Sequence, residues 1–210
     1  MPFSLPKLYP ITDTRLTGLS HAEQVERLAA GGATLIQLRE KLAAPREFYQ
    51  SALEAMRVAR RLGIQIIIND RVDIAMAVEA AGVHLGQDDL PPERARQLLG
   101  PGRIVGFSTH NLNQALAADS APIDYLAIGP VFQTSTKEKP DPVVGLDGLG
   151  EIKRGLTKPL VAIGGITLDR AGSVIAAGAD SVAVIADLYS AGNIAERAHE
   201  YFSRLNSSTI

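Results

Sequence analysis

The chain has 210 residues, 46% apolar and 21% charged, the balance of a folded protein with ample material for a core, which excludes a disordered or fibrous chain. It has no cysteine, which removes disulfides, thiolate zinc sites, iron–sulfur ligation and a cysteine nucleophile together, so any metal must sit on oxygen or histidine. With 21 basic against 23 acidic side chains the formal charge is −2, too small a field to hold a nucleic acid or an anionic membrane, and small molecules are the expected partners.

The opening Met1 to Lys7 has neither the charged and apolar regions of a signal peptide nor a transit character, and no apolar run approaches the roughly 18 residues of a spanning helix, so a cytoplasmic protein is expected. From there short β-branched runs alternate with longer segments whose apolar residues fall three and four apart. The runs begin near Leu8 (LYPITD), Thr34 (TLIQLRE), Gln65 (QIIIND), Val83 (VHLGQ), Ile104 (IVGFSTH), Tyr125 (YLAIGPVF), Leu160 (LVAIGG) and Ser181 (SVAVIADL). Helices are predicted over His21 to Ala30, Arg46 to Leu62, Ile74 to Ala81, Glu93 to Leu99, Leu112 to Ala118, Leu168 to Ala177 and Ile194 to Leu205. Three αβ junctions share a signature, AAGGATLI, EAAGVHLG and IAAGADSV, and place Gly32, Gly82 and Gly178 where a left-handed residue would close a helix. Eight βα units in this length predict a (β/α)8 TIM barrel over residues 1–210 as one catalytic domain. An open doubly wound sheet is the competitor, but no Gly-x-Gly-x-x-Gly follows the first run.

In such a barrel the residues just after each strand converge at the C-terminal mouth. The second run ends Gln37-Leu38-Arg39-Glu40-Lys41, and strand alternation sets Gln37, Arg39 and Lys41 on one face, Leu38 and Glu40 on the other. After the third run comes Asn69-Asp70, and after the fourth Gly86-Gln-Asp-Asp89, carboxylates at neighbouring mouths that suit a Mg²⁺ completed by phosphate and water. The sixth run leads into Gln133-Thr134-Ser135-Thr136-Lys137, hydroxyls and an ammonium on a loop long enough to act as a lid. The seventh ends Gly164-Gly165, whose open backbone suits a phosphate.

Each feature also has a plainer reading. Arg39 and Lys41 fit a solvated strand end; Asp88 and Asp89 fit a helix start before Pro91-Pro92; Gly164-Gly165 fits a tight turn with Thr167 as the next N-cap. His110 reads as a polar contact and His84 as structural, while His21 and His199 sit on helices with no partner in view. No Ser-His-Asp order, His-Glu-x-x-His or P-loop occurs. Taken together, five strand ends describe two anion sites: a charged one of Arg39, Lys41, Lys137 and a metal on Asp70 and Asp89, suited to a diphosphate, and a neutral glycine one suited to a monophosphate.

The ordered set Tyr9-Pro-Ile-Thr-Asp13, Gln37 to Lys41, Asn69-Asp70, Gly86 to Asp89, Gly106-Phe-Ser-Thr-His110, Gly129-Pro130 with Thr134 to Lys137, and Gly164-Gly-Ile166 resembles the thiamine phosphate synthases along essentially the whole chain. The resemblance implies a Mg²⁺-dependent transferase that joins 4-amino-2-methyl-5-hydroxymethylpyrimidine diphosphate to 4-methyl-5-(2-hydroxyethyl)thiazole phosphate through a pyrimidine carbocation, releasing pyrophosphate. By motif it assigns the pyrimidine diphosphate to Gln37, Leu38, Arg39, Glu40, Lys41, Asn69, Ser108 and Lys137, with Arg39, Lys41, Ser108 and Lys137 in the catalytic set. It assigns Mg²⁺ to Asp70 and Asp89, and the thiazole phosphate to Thr134, Ser135, Thr136, Gly165, Ile185 and Ala186. One position departs: family members commonly carry serine after the eighth strand, where this chain has Ala186 followed by Asp187, an acid that suits a phosphate only if it turns outward. A thiazole tautomerase of the same fold and a non-catalytic barrel binding thiamine precursors remain as alternatives; the full set Gln37, Arg39, Lys41, Asp70 and Asp89 favours the synthase. Association into a homo-oligomer is compatible with the sequence.

Overall fold

The computed structural model describes residues 5–134 and 141–207. In chain order these form β1 (Leu8–Asp13), α1 (Thr14–Thr17), α2 (His21–Ala30), β2 (Leu35–Arg39), α3 (Pro45–Leu62), β3 (Gln65–Asn69), α4 (Val72–Ala77), β4 (Gly82–Leu85), α5 (Pro92–Leu99) and β5 (Ile104–Thr109). There follow α6 (Leu112–Asp119), β6 (Tyr125–Ile128), α7 (Gly145–Arg154), β7 (Leu160–Ile163), α8 (Leu168–Ala176), β8 (Ser181–Val184), α9 (Ala186–Ser190) and α10 (Ile194–Ser207). The eight strands pair in parallel in sequence order, and β1 closes on β8 with Leu8 beside Val182, so the sheet is a complete barrel.

The period of two along each strand divides the apolar residues between two cores. Leu8, Ile36, Leu38, Ile66, Ile68, Val83, Leu85, Val105 and Leu126 face outward and pack against the apolar stripes of the helices. Tyr9, Ile11, Leu35, Ile67, Tyr125, Val161 and Ala183 face inward and fill the barrel. One step nearer the mouth the inward residues become polar, with Gln37 on β2, Asn69 on β3, His84 on β4 and Ser108 on β5.

Two of the three expected junction glycines behave as predicted, and one does not. Gly32 and Gly178 take φ of 104° and 113°, and the following Ala33 and Ala179 donate back to Leu28 and Val174. At the third junction the equivalent bond runs from Ala80 to Ala75, so the left-handed residue is Glu79, at φ 57°, and α4 ends at Ala77 rather than Ala81. Gly82 instead opens β4, where a Cβ would stand 2.0 Å from the Ile104 carbonyl oxygen; its glycine serves strand contact and not a cap.

Three helices escape the sequence pattern. α1 and α9 are too short for the periodicity to register. α7 carries Gly145, Gly148 and Gly150, against its intrinsic preference, and is held by burying Leu149 and Ile152.

Candidate active site

The mouth of the barrel opens into a cavity of about 530 Å³. Its wall includes Gln37, Arg39, Lys41, Asn69, Asp70 and Asp89, together with Ser108, Thr134, Gly165, Ile185 and Ala186, all expected from the sequence. Two expected binding residues face elsewhere. Leu38 lies on the outward side of β2 and is wholly buried under the helices, as alternation requires of a residue between Gln37 and Arg39. Glu40 turns to the chain itself: its carboxylate accepts the backbone N–H groups of Lys41, Leu42 and Ala43 and the Thr14 hydroxyl, and those bonds hold its carboxyl below the usual range against the opposing effect of burial. It shapes the loop that carries Lys41. Ser135, Thr136 and Lys137, and with them the expected lid, lie outside the described residues.

One side of the cavity is charged. Arg39 donates from Nη1 to Asp13 Oδ2 at 2.7 Å, and Arg15 reaches the same oxygen at 3.1 Å. Burial works against ionisation of Asp13, but the Arg15 side-chain bond, the Arg39 charge and the Arg15 backbone N–H together hold it ionised below the usual carboxylate range. Lys41 Nζ lies 2.5 Å from Asp70 Oδ2. Asp70 takes φ 64°, a conformation L-residues adopt at some cost, which turns its carboxyl into the mouth after β3.

Asp89 comes from the loop after β4, its Oδ2 accepting the Gly86 N–H at 2.7 Å. It lines the same cavity as Asp70; burial first, and then the neighbouring Asp70 charge, raise its pKa. Two carboxyls crowded together in this way fit a hard cation between them. Among the described residues no group of three or more His, Cys, Asp or Glu converges for a metal, so a diphosphate and water would have to complete the coordination.

The other side is neutral. Gly164 and Gly165 take φ of 101° and 62°, and a Cβ on Gly165 would stand 2.3 Å from the Gln133 carbonyl oxygen, so only glycine lets this backbone lie against the loop after β6. Ile185 and Ala186 follow β8 at the start of α9. Asp187, the doubtful neighbour, borders the cavity, but its Oδ2 is already engaged: it accepts the Leu168 N–H at the start of α8, two Arg197 N–H groups and the Tyr201 hydroxyl at 2.6 Å. Thr167 holds the N-cap position of α8 without a side-chain bond, because Asp187 supplies the acceptor from the next unit.

Sequence reasoning passed over Asp13, Tyr9, Tyr125 and His84. The last, expected to be structural, is buried and hydrogen-bonded and also borders the cavity, with Nε2 2.8 Å from Ser108 Oγ and Nδ1 2.9 Å from the Tyr125 hydroxyl. Burial pushes its pKa down to about 4, so the ring is neutral at physiological pH. Placing Tyr9 and Tyr125 on the inward period of β1 and β6, as was done for Gln37, would have brought them into view. His110 makes the expected polar contact, with the Gly129 carbonyl at 2.8 Å.

Residues 8–188 match the thiamine monophosphate synthase family. Thiamine-phosphate synthase of Koribacter versatilis is 49% identical over 97% of each chain, and that of Chloroflexus aurantiacus 45% identical over 92% of this chain and 90% of its own. Among solved structures, thiamine phosphate pyrophosphorylase from Pyrococcus furiosus superposes with a TM-score of 0.87 at 38% identity, covering 97% of each chain.

Proposed function

Since the chain belongs to the thiamine monophosphate synthase family, we propose that it is the transferase that makes thiamine phosphate and pyrophosphate from the hydroxymethylpyrimidine diphosphate and the hydroxyethylthiazole phosphate. The observation that carries this reading is one cavity with both a charged wall at β2 to β5 and a glycine wall at β7 and β8, one for each phosphorylated substrate.

The glycine backbone of Gly165, with Ile185 and Ala186, receives the thiazole phosphate through N–H groups, without adding a cation that would compete for the diphosphate. Gln37, Arg39, Lys41, Asn69 and Ser108 receive the pyrimidine diphosphate, joined by Lys137 by resemblance; Thr134, and by resemblance Ser135 and Thr136, serve the thiazole phosphate. Asp70 and Asp89 would hold Mg²⁺, which when bound with a diphosphate offsets the charge on the departing pyrophosphate.

The bond between the ring methylene and the diphosphate oxygen breaks with its electron pair leaving on pyrophosphate, the pyrimidine spreads the positive charge, and the thiazole nitrogen lone pair forms the new bond. That nitrogen carries no proton, so the chain need supply no general base, and its work is to bind, orient and keep water from the cation. The reading sets the chain in the cytoplasm with small-molecule partners, which a near-neutral charge suits.

The test is pyrophosphate release from the two substrates with Mg²⁺. Release should require both substrates and stop in excess chelator, and Asp70→Ala or Asp89→Ala should lower kcat far more than they weaken thiazole phosphate binding. Turnover of the thiazole alone, or full rate in chelator, would overturn the reading.

A further inference from the structure

Beneath the charged wall a line of polar side chains crosses the barrel from β2 to β5. Gln37 Nε2 donates to the Tyr9 hydroxyl at 3.1 Å, Tyr9 and Tyr125 hydroxyls lie 3.0 Å apart, Tyr125 reaches His84 Nδ1 at 2.9 Å, and His84 Nε2 reaches Ser108 Oγ at 2.8 Å. Both tyrosines are buried to within 1%. The Tyr125 and His84 rings stack at 5.5 Å with 22° between their planes. The backbone is built to admit this contact, since a Cβ on Gly106 would stand 2.4 Å from the Tyr125 hydroxyl and 2.6 Å from His84 Nδ1. Gly106 has no unusual φ, so its lack of a side chain serves room and not conformation.

The line has a direction. The Gln37 amide nitrogen donates to the Tyr9 oxygen, and the arrangement that leaves no buried hydroxyl proton idle sends the Tyr9 proton to Tyr125. The series in which every hydroxyl accepts once and donates once then runs from Tyr125 into His84 Nδ1, and each bond polarises the next. A neutral imidazole that accepts at Nδ1 carries its proton on Nε2 and donates it to Ser108. Ser108 Oγ, having accepted, keeps its own proton for the cavity. At the far end Gln37, having spent an N–H on Tyr9, retains its carbonyl oxygen as an acceptor.

We infer that Tyr9, Tyr125 and His84 are positioning residues that fix the proton of His84 on Nε2 and so present Ser108 to the cavity as a donor, the polarity an anionic oxygen requires. The line of contacts stands on the fold, and its direction on a neutral His84 with every hydroxyl both accepting and donating; its effect on pyrimidine diphosphate rests on the synthase reading. The closing experiment keeps the two apart.

Nitrogen-15 NMR of histidine-labelled protein at neutral pH, with the His84 signals assigned by their loss in His84→Gln, should show a protonated Nε2 and a bare Nδ1 without any substrate present. Tyr125→Phe, which keeps the ring and removes only the buried hydroxyl, should replace that single tautomer with a mixture. The same variant should raise KM or lower kcat for the pyrimidine diphosphate by about ten- to hundredfold, the worth of one bond to a charged group, while KM for the thiazole phosphate stays within about twofold. Combined with Ser108→Ala, Tyr125→Phe should add nothing further. A protonated Nδ1 in the wild type, or equal losses for both substrates, would overturn the inference. An inactive wild type with the expected tautomer would instead fault the synthase reading alone.

Discussion

Replacing Asp187 with alanine tests how the β8 end of the cavity is held. Oδ2 of Asp187 receives four donors, and Asp187 and Arg197 side chains are 14% and 19% exposed, so the pair is largely withdrawn from water. Removing the acid takes the acceptor from the Tyr201 hydroxyl and the first N–H of α8 and leaves Arg197 with Glu200, 2.9 Å away, as its remaining carboxylate. Losing hydrogen bonds to a charged acceptor costs about 1.5 to 3 kcal/mol. In a chain of this length, at about 2 to 4 °C per kcal/mol, that becomes a fall in Tm of about 3 to 12 °C. Asp187→Asn keeps an acceptor but not the charge and should fall between. Because Asp187 sits in the first turn of α9, directly after Ala186, KM for the thiazole phosphate should rise in both variants while KM for the pyrimidine diphosphate holds. Scanning calorimetry and steady-state pyrophosphate release provide the two readouts. A loss in Tm of under about 2 °C, or equal changes in the two KM values, would refute the account of Asp187 as the anchor of the β8 end.

Ala186→Ser restores a hydroxyl at the glycine wall and should lower KM for the thiazole phosphate several-fold with little change in Tm; an unchanged or raised KM would mean that backbone N–H groups already saturate that phosphate. Glu79→Gly relieves a left-handed residue and should raise Tm slightly, whereas Gly82→Ala meets the Ile104 carbonyl and should lower it steeply, and thermal melts showing the reverse order would undo the reassignment of that junction. Burial pushes both His21 and His84 down to about 4, below the 6.5 of an unfolded histidine. As pH falls from 6.5 toward 4 the unfolded chain binds protons that the folded one refuses, so stability should drop by up to about 1.4 kcal/mol per pH unit for each. Urea unfolding at pH 6.5 and 5 measures the slope, and a flat profile would contradict the burial of both rings.

The strand order and the charged wall were legible because they depend on local patterns: a period of two in QLREK set Gln37 and Arg39 inward and Leu38 outward, as the structure has them. What escaped depends on where separate strands meet. Nothing near Asp13 in the chain announces that it will neutralise Arg39, a strand away, and nothing near Tyr125 announces His84, 41 positions earlier. The junction at EAAGVHLG misled because its glycine mimics a helix cap; the need for close strand contact at Ile104 appears only once β5 is laid beside β4. Asp187 looked hostile to a phosphate on sequence alone, since its partners lie on α8 and α10. Glu40 shows the limit of motif reasoning, being set among binding residues by adjacency while its oxygens are spent on the loop.

The join between the first strand and the last has a consequence for how the molecule is made. Leu8 and Val182 are 182 − 8 = 174 positions apart, so their pairing comes late and slowly, as contacts between distant segments do. Every residue of the acidic and basic wall from Arg39 to Ser108 has by then been synthesised, along with a sheet whose edges lie bare to any neighbouring strand. The charged wall and the glycine wall thus come together only when the barrel closes, and an unfinished barrel is an aggregation hazard.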